Sequence, residues 1–209
     1  MTHFEDERAQ VIAAARSIFT RSLTHGSTGN ISVRAGENIL VTPTGSSLGT
    51  VEPDELSIID AAGKHLGGTR PSKEAFLHAA ILRARPQANA VVHTHSTYAG
   101  AVSCLVDIDP ADVLPPLTAY FAMRIGKLPL LPYYAPGDDG LEETAEHAAI
   151  THHALLLSNH GPIVAGDTVG SALDAIEELE ETSKLFLLLR GMNTRPLTTQ
   201  QRDALASTR

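Results

Sequence analysis

The segment Val-Val-His-Thr-His at residues 91–95 joins a run of apolar residues to a pair of histidines. Its apolar part, together with Ala90, predicts a buried β-strand that ends at His93. Residues two apart on a strand point to the same face, so His93 and His95 can converge on one metal ion where the strand leaves the core. Two histidines that bond backbone groups at a strand end would explain the pair equally well. This segment alone therefore leaves the metal site open.

A second predicted strand also ends at a histidine. Ser-Asn-His-Gly-Pro at residues 158–162 follows the apolar run Ala154–Leu157, and its glycine permits a tight turn with His160 at the tip. A lone His-Gly pair is usually only a turn. Added to His93 and His95, however, His160 completes a set of three neutral imidazoles, which is typical of a catalytic zinc site. Six other histidines stand in polar surroundings or at a helix end and are predicted to lie on the surface: His3, His25, His65, His147, His152 and His153.

A carboxylate and a cation stand at the predicted start of the helix that precedes the His-x-His strand. Pro-Ser-Lys-Glu at residues 71–74 opens this helix, with Ser72 as a candidate N-cap. A helix N-terminus with the donors of Ser72 and Lys73 suits an anion. The helix dipole alone favours Glu74 in a first turn, so its position does not by itself indicate catalysis. His78, one turn later, either orients Glu74 or is simply packed in the helix.

Two short loops rich in glycine and hydroxyl groups lie beside predicted strands in the first quarter of the chain. They are Gly-Ser-Thr-Gly-Asn-Ile-Ser at residues 26–32 and Thr-Pro-Thr-Gly-Ser-Ser at residues 42–47. Successive backbone N–H groups and hydroxyls in such loops can hold a phosphate. Either loop alone is more often just a turn. Both loops in a chain that also carries the three histidines favour a phosphorylated ligand.

The composition is that of an ordinary globular protein with an acidic balance. The 209 residues, 43% of them hydrophobic, predict a single domain over residues 1–209 with a well-buried core. The formal net charge of −8 argues against nucleic acid or an anionic membrane surface as a partner, and it requires local donors for any phosphate. No apolar run is long enough to span a bilayer, and the polar N-terminus does not predict a signal peptide. The single cysteine, Cys104, is predicted to be buried, and its isolation favours a reducing cytoplasm.

Helical and strand-like patterns alternate along the chain, with irregular connections that favour hairpins. Helices are predicted at about residues 5–23, 72–85, 97–105, 140–152 and 168–190, and strands at 30–33, 39–41, 56–59, 90–93, 154–157 and 163–165. This order predicts an α/β layered domain with a mixed or mostly antiparallel sheet, not a doubly wound parallel one. No glycine-rich nucleotide-binding motif occurs, so a nucleotide cofactor is not expected.

Taken in order, these motifs resemble the class II aldolase/adducin family. The resemblance runs from Gly26 to about Arg190 and rests on Gly-Ser-Thr-Gly-Asn-Ile-Ser, Thr-Pro-Thr-Gly, Ser-Lys-Glu, His-Thr-His and His-Gly. It implies a central, mostly antiparallel sheet flanked by helices on both sides. It also implies one divalent metal, usually Zn²⁺, and a homotetramer with active sites between neighbouring subunits.

The resemblance assigns roles to individual residues. His93, His95 and His160 would bind the metal, while Glu74 would act as acid and base and would also approach the metal in the empty enzyme. The family's phosphate pocket would fall on Ser27, Gly29, Asn30, Thr44, Gly45 and Ser72. Tyr120 aligns with a family tyrosine that reaches a neighbouring active site as proton donor, although a buried structural tyrosine would fit the sequence as well.

Three further features favour one subgroup of the family. Lys73 stands where fuculose-phosphate aldolases have a second serine, and Leu131–Asp138 and Glu177–Thr182 match a subgroup that decarboxylates 3-oxo-tetronate 4-phosphate. The resemblance therefore implies conversion of this small phosphorylated sugar acid to dihydroxyacetone phosphate and CO₂ through a metal-stabilised enediolate. Lys73 would position the phosphate or the carboxylate. Four alternatives remain: a fuculose-phosphate-type aldolase, a pentose-phosphate 4-epimerase, a methylthioribulose-phosphate dehydratase, and a non-catalytic adducin-like interaction module.

Overall fold

The computed structural model describes residues 4–135, 138 and 140–206, in which helices and strands alternate. The strands are β1 (Asn30–Ala35), β2 (Asn38–Val41), β3 (Ser57–Ile59), β4 (His65–Gly67), β5 (Ala90–His93), β6 (Leu130–Leu131), β7 (Ala154–Leu157) and β8 (Gly161–Gly166). The helices are α1 (Glu5–Thr20), α2 (Ala75–Ala84), α3 (Thr97–Ser103), α4 (Ala119–Arg124), α5 (Gly140–Ala149), α6 (Val169–Leu188) and α7 (Thr199–Ala206). A short 3₁₀ turn covers Pro53–Glu55.

The strands form one sheet in the order β4-β3-β2-β1-β5-β8-β7-β6. All neighbouring pairs run antiparallel except β6 and β7, which are parallel. β5, which contains the His-x-His segment's first histidine, lies in the middle between β1 and β8. In this register His93 is opposite Asn30 on one side and Ile163 on the other. The predicted α/β fold with a mostly antiparallel sheet is confirmed.

Helices cover both faces of the sheet, as predicted. Successive residues of β5 point to opposite faces, so Ala90 and Val92 enter one apolar core while Val91 enters the other. The first core packs against α1, α3, α4 and α6, and the second against α2 and α5. The strand is buried on both faces along its whole length. Its end is therefore a rigid place from which to present a histidine.

The helix predicted to begin at Ser72 begins later, at Ala75, with Glu74 in the N-cap position. Residues 71–74 are instead tied to the loop after β2, because Pro71 bridges Pro43 and the Ser72 N–H donates to the Thr42 carbonyl at 3.2 Å. This pairing keeps the segment extended. The Ser72 hydroxyl oxygen accepts from the Glu74 N–H at 3.2 Å, so Ser72 restrains the segment before the helix without being its N-cap.

The prediction that Cys104 is buried is wrong, because its side chain is exposed. The apolar run around it is the end of a helix whose inward face is Val102 and Ser103, so Ala101 and Cys104 face outward. Pro136 and Gly137, within the segment Leu131–Asp138, lie outside the described residues. No helix in the described part of the chain is long and apolar enough to cross a membrane.

Candidate active site

Three histidines and one carboxylate meet at the end of β5. They come from separate parts of the chain: His93 and His95 from β5 and the loop after it, His160 from the turn between β7 and β8, and Glu74 from the start of α2. One ligand atom from each residue lies within 4.8 Å of those of the other three. The structure therefore brings together all four residues that were predicted to bind a metal.

The spacing of the ring nitrogens fits a single small cation. The Nε2 atom of His160 lies 3.0 Å from Nε2 of His95 and 3.3 Å from Nε2 of His93. Ligand nitrogens about 2.0–2.1 Å from a tetrahedral zinc ion are about 3.3 Å apart. The Glu74 carboxylate closes the group, with its oxygens 3.3 Å from His160 Nε2 and 3.6 Å from His93 Nε2.

The backbone determines which nitrogen of His93 faces the cluster. Its Nδ1 lies 2.8 Å from the Pro162 carbonyl, which can only accept a hydrogen bond. The proton therefore sits on Nδ1, and the bare lone pair of Nε2 points at His160 and Glu74. Bonding a backbone group and binding a metal are therefore compatible roles for His93. A metal-binding histidine usually donates its other ring N–H to a carbonyl or a carboxylate.

The turn that carries His160 depends on the backbone preferences of the two residues that flank this histidine. Asn159 adopts a left-handed backbone with φ of 55°, which Asn tolerates better than most residues. A Cβ on Gly161 would lie 2.3 Å from the Thr94 carbonyl oxygen, so only glycine lets the turn approach the His-x-His segment this closely. The two predicted halves of the cluster are held together at this contact.

Glu74 is an anion held by its neighbours. Burial alone would raise the pKa of its carboxyl, but nearby His93, a hydrogen bond from Asn30 and nearby His160 lower that pKa to about 2. Burial lowers the pKa of His95 to about 4 and lowers that of His160, with His93 adding to both shifts. At neutral pH His95 and His160 are therefore neutral imidazoles and Glu74 is a carboxylate, which are the protonation states that a metal ion requires.

A chain of hydrogen bonds behind the site orients Glu74. The Asn30 amide nitrogen donates to Glu74 Oε2 at 2.7 Å and to the Ser72 hydroxyl at 3.2 Å. Its amide oxygen therefore faces His78, whose Nε2 donates to it. The other ring nitrogen, Nδ1, then accepts from the Ser32 hydroxyl at 2.7 Å. His78 thus acts on Glu74 through Asn30, a contact that spacing along the helix could not reveal.

We expect His78 to make the fold sensitive to acid. It is fully buried, and burial, with a contribution from His93, lowers its pKa to about 3. A histidine whose pKa is lower in the folded state than the 6.5 of the unfolded chain stabilises the fold less as pH falls below about 6.5, because only the unfolded chain takes up the proton. Between about pH 7 and pH 5, one such group lowers the free energy of unfolding by about 2 kcal/mol.

Urea unfolding of the wild type and of His78→Gln at both pH values measures this contribution. Glutamine keeps a donor for Asn30 but does not titrate, so the loss of stability on acidification should be about 2 kcal/mol smaller in the variant. Equal losses in the two proteins would show that His78 does not carry this proton.

A cavity of about 380 Å³ opens beside the cluster. All of the residues predicted to bind phosphate or substrate line it: Ser27, Gly29, Asn30, Thr44, Gly45, Ser72 and Lys73. Glu74, His95 and His160 form its inner end. The loop of residues 26–32 approaches β5 closely at Gly29, which has φ of 77°. Any other residue there would be strained, because its Cβ would lie 2.9 Å from the His93 carbonyl oxygen.

The apolar part of the cavity wall was not predicted from the sequence. Phe76, Tyr134 and Leu141 supply an apolar side opposite the polar loops. The Tyr134 hydroxyl pairs with that of Thr144 at 2.6 Å, so the ring is held in place. Tyr134 belongs to the segment Leu131–Asp138, whose match to the decarboxylase subgroup could have pointed to it. The sequence of that segment does not indicate which of its residues face the cavity.

Tyr120 does not join the other predicted residues. It lies on α4, is 62% exposed and does not line the cavity of its own chain, although the Arg124 guanidinium stacks 5.5 Å from its ring. Its role as a proton donor to a neighbouring subunit stays a prediction, and the alternative of a buried structural tyrosine is wrong.

Among the six histidines assigned to the surface, His25, His65 and His147 are exposed, His152 and His153 are half-buried, and His3 lies outside the described residues.

Known proteins share this fold and much of this sequence. The profile of the class II aldolase and adducin N-terminal domain matches residues 9–187. The 3-oxo-tetronate 4-phosphate decarboxylase of Haemophilus influenzae is 46% identical over 92% of this chain and 92% of that protein, and the decarboxylase of the same name from Escherichia coli is 44% identical over 91% of each. The crystal structure of YgbL from Klebsiella pneumoniae superposes with a TM-score of 0.94 at 38% identity, covering 98% of this chain and 99% of that one.

Proposed function

The chain belongs to the class II aldolase and adducin family, and from that premise we propose that it decarboxylates 3-oxo-tetronate 4-phosphate to dihydroxyacetone phosphate. The reaction is that of a carbon–carbon lyase. The observation that carries the proposal is the convergence of three histidine Nε2 atoms and the Glu74 carboxylate at the inner end of a cavity lined by hydroxyl- and glycine-rich loops. Relatives at 44% to 46% identity are named for this activity, which favours decarboxylation over the other reactions of the family.

His93, His95 and His160 would hold the divalent metal on which this family depends, and we propose that it is Zn²⁺. When bound, such an ion supplies Lewis-acid stabilisation of the negative charge that develops on the substrate as the carbon–carbon bond breaks. His93 is preorganised for this role because its Nδ1 proton is held by the Pro162 carbonyl at 2.8 Å. Glu74 can also approach the ion, since its oxygens lie 3.3 Å and 3.6 Å from two of the histidine nitrogens.

Glu74 would manage the protons of the reaction. Loss of CO₂ from the oxo acid leaves its electron pair in an enediolate, and one proton must then be added to a carbon to give dihydroxyacetone phosphate. The anionic carboxylate of Glu74 can hold and return a proton at the substrate hydroxyl or at that carbon. Asn30 keeps the carboxylate aimed into the cavity through its 2.7 Å hydrogen bond.

The loops at the cavity rim would bind the phosphate. A chain with net charge −8 repels an anion overall, so donors must be local. Among the described residues that line the cavity, Lys73 is the one lysine or arginine. Gly45 lines the cavity with φ of 73°, and no atom lies within 4 Å of where its Cβ would stand. The Ser27, Thr44 and Ser72 hydroxyls supply further hydrogen-bond donors.

Lys73→Ala is expected to lower kcat/KM for the oxo acid by roughly 10- to 100-fold, because a hydrogen bond to a charged group contributes about 1.5–3 kcal/mol. Steady-state kinetics at saturating metal measure the change. Lys64→Ala serves as the control, since Lys64 is an exposed lysine that does not line the cavity. Near-native kinetics of Lys73→Ala would remove Lys73 from the substrate site.

The function itself is tested by supplying 3-oxo-tetronate 4-phosphate and, separately, fuculose phosphate and ribulose phosphate. We expect CO₂ and dihydroxyacetone phosphate in equal amounts from the first substrate only. An aldolase forms the same enediolate by breaking a different carbon–carbon bond, so aldol cleavage without CO₂ release would replace this proposal with a fuculose-phosphate-type aldolase. Epimerised pentose phosphate would point to the 4-epimerase.

We also propose that the protein is a single-domain cytoplasmic homotetramer with its active sites between subunits. For active sites between subunits, the support is that Tyr120 is 62% exposed on α4 and lies outside the cavity of its own chain. A proton donor placed in this way can act only in a neighbouring copy. The number of subunits and the compartment rest on the family resemblance and on the single cysteine.

A further inference from the structure

Glu180, on α6, is a buried carboxylate that the proposed reaction does not use. It belongs to the Glu-Glu-Leu-Glu-Glu-Thr segment of residues 177–182, and only 6% of its surface is exposed. Both of its oxygens accept hydrogen bonds from the backbone: Oε1 from the Tyr98 N–H at 2.9 Å and Oε2 from the Ala99 N–H at 2.8 Å. In the described part of the chain, no ion pair involves Glu180.

These two N–H groups belong to the first turn of α3, where a helix has no backbone acceptors of its own. The local N-cap residue, Ser96, makes no side-chain capping bond. A carboxylate that stands 82 residues later in the chain than Tyr98 caps the helix instead. Burial of a carboxylate destabilises the fold unless hydrogen bonds satisfy its oxygens. Two charge-assisted bonds at the positive end of a helix meet that requirement and anchor α3 firmly to α6.

Helix α3 connects two of the proposed metal ligands. His95 stands two residues before its first residue, Thr97. At its other end, the Ser103 hydroxyl oxygen accepts from the His160 N–H at 3.2 Å, and the Ser103 carbonyl accepts from the Asn159 N–H at 3.2 Å. A shift of α3 would therefore move both His95 and His160, whose Nε2 atoms are 3.0 Å apart.

We propose that Glu180 is a positioning residue of the metal centre: by anchoring α3 to α6, it sets the separation of the His95 and His160 imidazoles. The inference rests on the proposed metal site. Outer residues that orient metal ligands typically change metal affinity by roughly 10- to 100-fold when they are replaced. The other acidic residues of the segment have different tasks, since Glu177 pairs with Arg21 and Glu178 bonds the hydroxyls of Thr118 and Thr182.

The test replaces Glu180 with Gln, which keeps the size of the side chain but turns an NH₂ group toward one of the two backbone N–H groups. We expect Glu180→Gln to raise the Kd for Zn²⁺ by roughly 10- to 100-fold, measured by competition with a chromophoric chelator. The visible spectrum of the Co²⁺-substituted protein should change as well, because it reports the arrangement of the ligands around the ion. Glu180→Asp keeps the charge and should recover part of the affinity.

Two controls separate positioning from general stability. Glu181 is an exposed neighbour on the same helix, whose only ion pair among the described residues is with Lys184 at 3.9 Å, and Glu181→Gln should bind Zn²⁺ like the wild type. Ile59→Ala removes a buried side chain from β3, which lies three strands away from β5 and its metal-binding end. It should destabilise the fold and leave the Co²⁺ spectrum unchanged.

Several results would overturn the inference. They are wild-type Zn²⁺ affinity and an unchanged Co²⁺ spectrum in Glu180→Gln, or the same loss of affinity in Ile59→Ala. If Glu180→Gln does not fold, Ser103→Ala decides, because it cuts the bond to the His160 N–H at the other end of α3: raised Kd supports the inference and unchanged Kd overturns it. A wild type that binds neither Zn²⁺ nor Co²⁺ overturns the metal site and this inference together, whereas one that binds them but releases no CO₂ overturns only the proposed reaction.

Discussion

Glu74→Gln is expected to lower kcat by roughly 100- to 10,000-fold, the range that loss of a general acid or base produces. The carboxyl has its pKa lowered to about 2, so it is an anion at neutral pH. Glutamine has nearly the same shape and can still accept the hydrogen bond from Asn30, but it cannot take up a proton. The variant therefore removes the chemistry of the side chain and leaves its place in the cavity filled.

Metal content separates the two roles considered for Glu74. Full metal content with lost turnover in Glu74→Gln assigns the residue to proton transfer, whereas lost metal assigns it to the coordination sphere. Glu143→Gln, at an exposed position of α5, is the control and should retain wild-type kcat. A kcat within tenfold of wild type in Glu74→Gln would show that the proton is moved by another group.

His95→Ala is expected to abolish stoichiometric metal binding and to lower turnover by roughly a thousandfold or more, because a metal ion contributes several kcal/mol to stabilising developing charge. His95 is the cleanest of the three histidines to replace. His93 is fully buried and bonded to the Pro162 carbonyl, so its loss would also leave a cavity and an unpaired acceptor. His95 is half-buried, and its partners in the site are the other members of the cluster.

Metal analysis and turnover are measured before and after treatment with a chelator. In the wild type, removal of the metal should abolish activity and added Zn²⁺ should restore it, while His95→Ala should not recover at stoichiometric Zn²⁺. His147→Ala, at an exposed position of α5, should behave as the wild type does. A wild type that contains no metal and is indifferent to chelation would instead favour the non-catalytic adducin-like module.

Most of the fold could be predicted because its elements carry local patterns. The apolar run before His93 and the long stripe of α6 are periodic over enough residues to identify a strand and a helix. The helices and strands that were not predicted are short: β4 has 3 residues, β6 has 2, α4 has 6 and α7 has 8. Elements of this length have no period to detect, and their backbone is determined by the neighbours with which they pair.

The types of residue in the candidate site could also be predicted, but their connections could not. The i and i+2 spacing of His93 and His95 and the glycine in the turn after His160 are local features. The contact of Asn30 with both Glu74 and His78 depends on β1 packing beside α2, at separations of 44 and 48 residues along the chain. Tyr120 shows the converse, since the family resemblance assigns it to a site while its side chain lies away from the cavity of its own chain.

Local sequence patterns are enough to predict that an apolar strand ends in a His-x-His pair, that a second such strand ends in His160, and that Glu74 and two glycine-rich loops accompany them. That these parts form one site follows from the packing of the folded chain. His93 and His160 stand 67 residues apart in the chain, and their nitrogens come within 3.3 Å because β5 and β8 pair in a particular register. Register and helix packing arise from contacts summed over the whole core, so no single segment contains them.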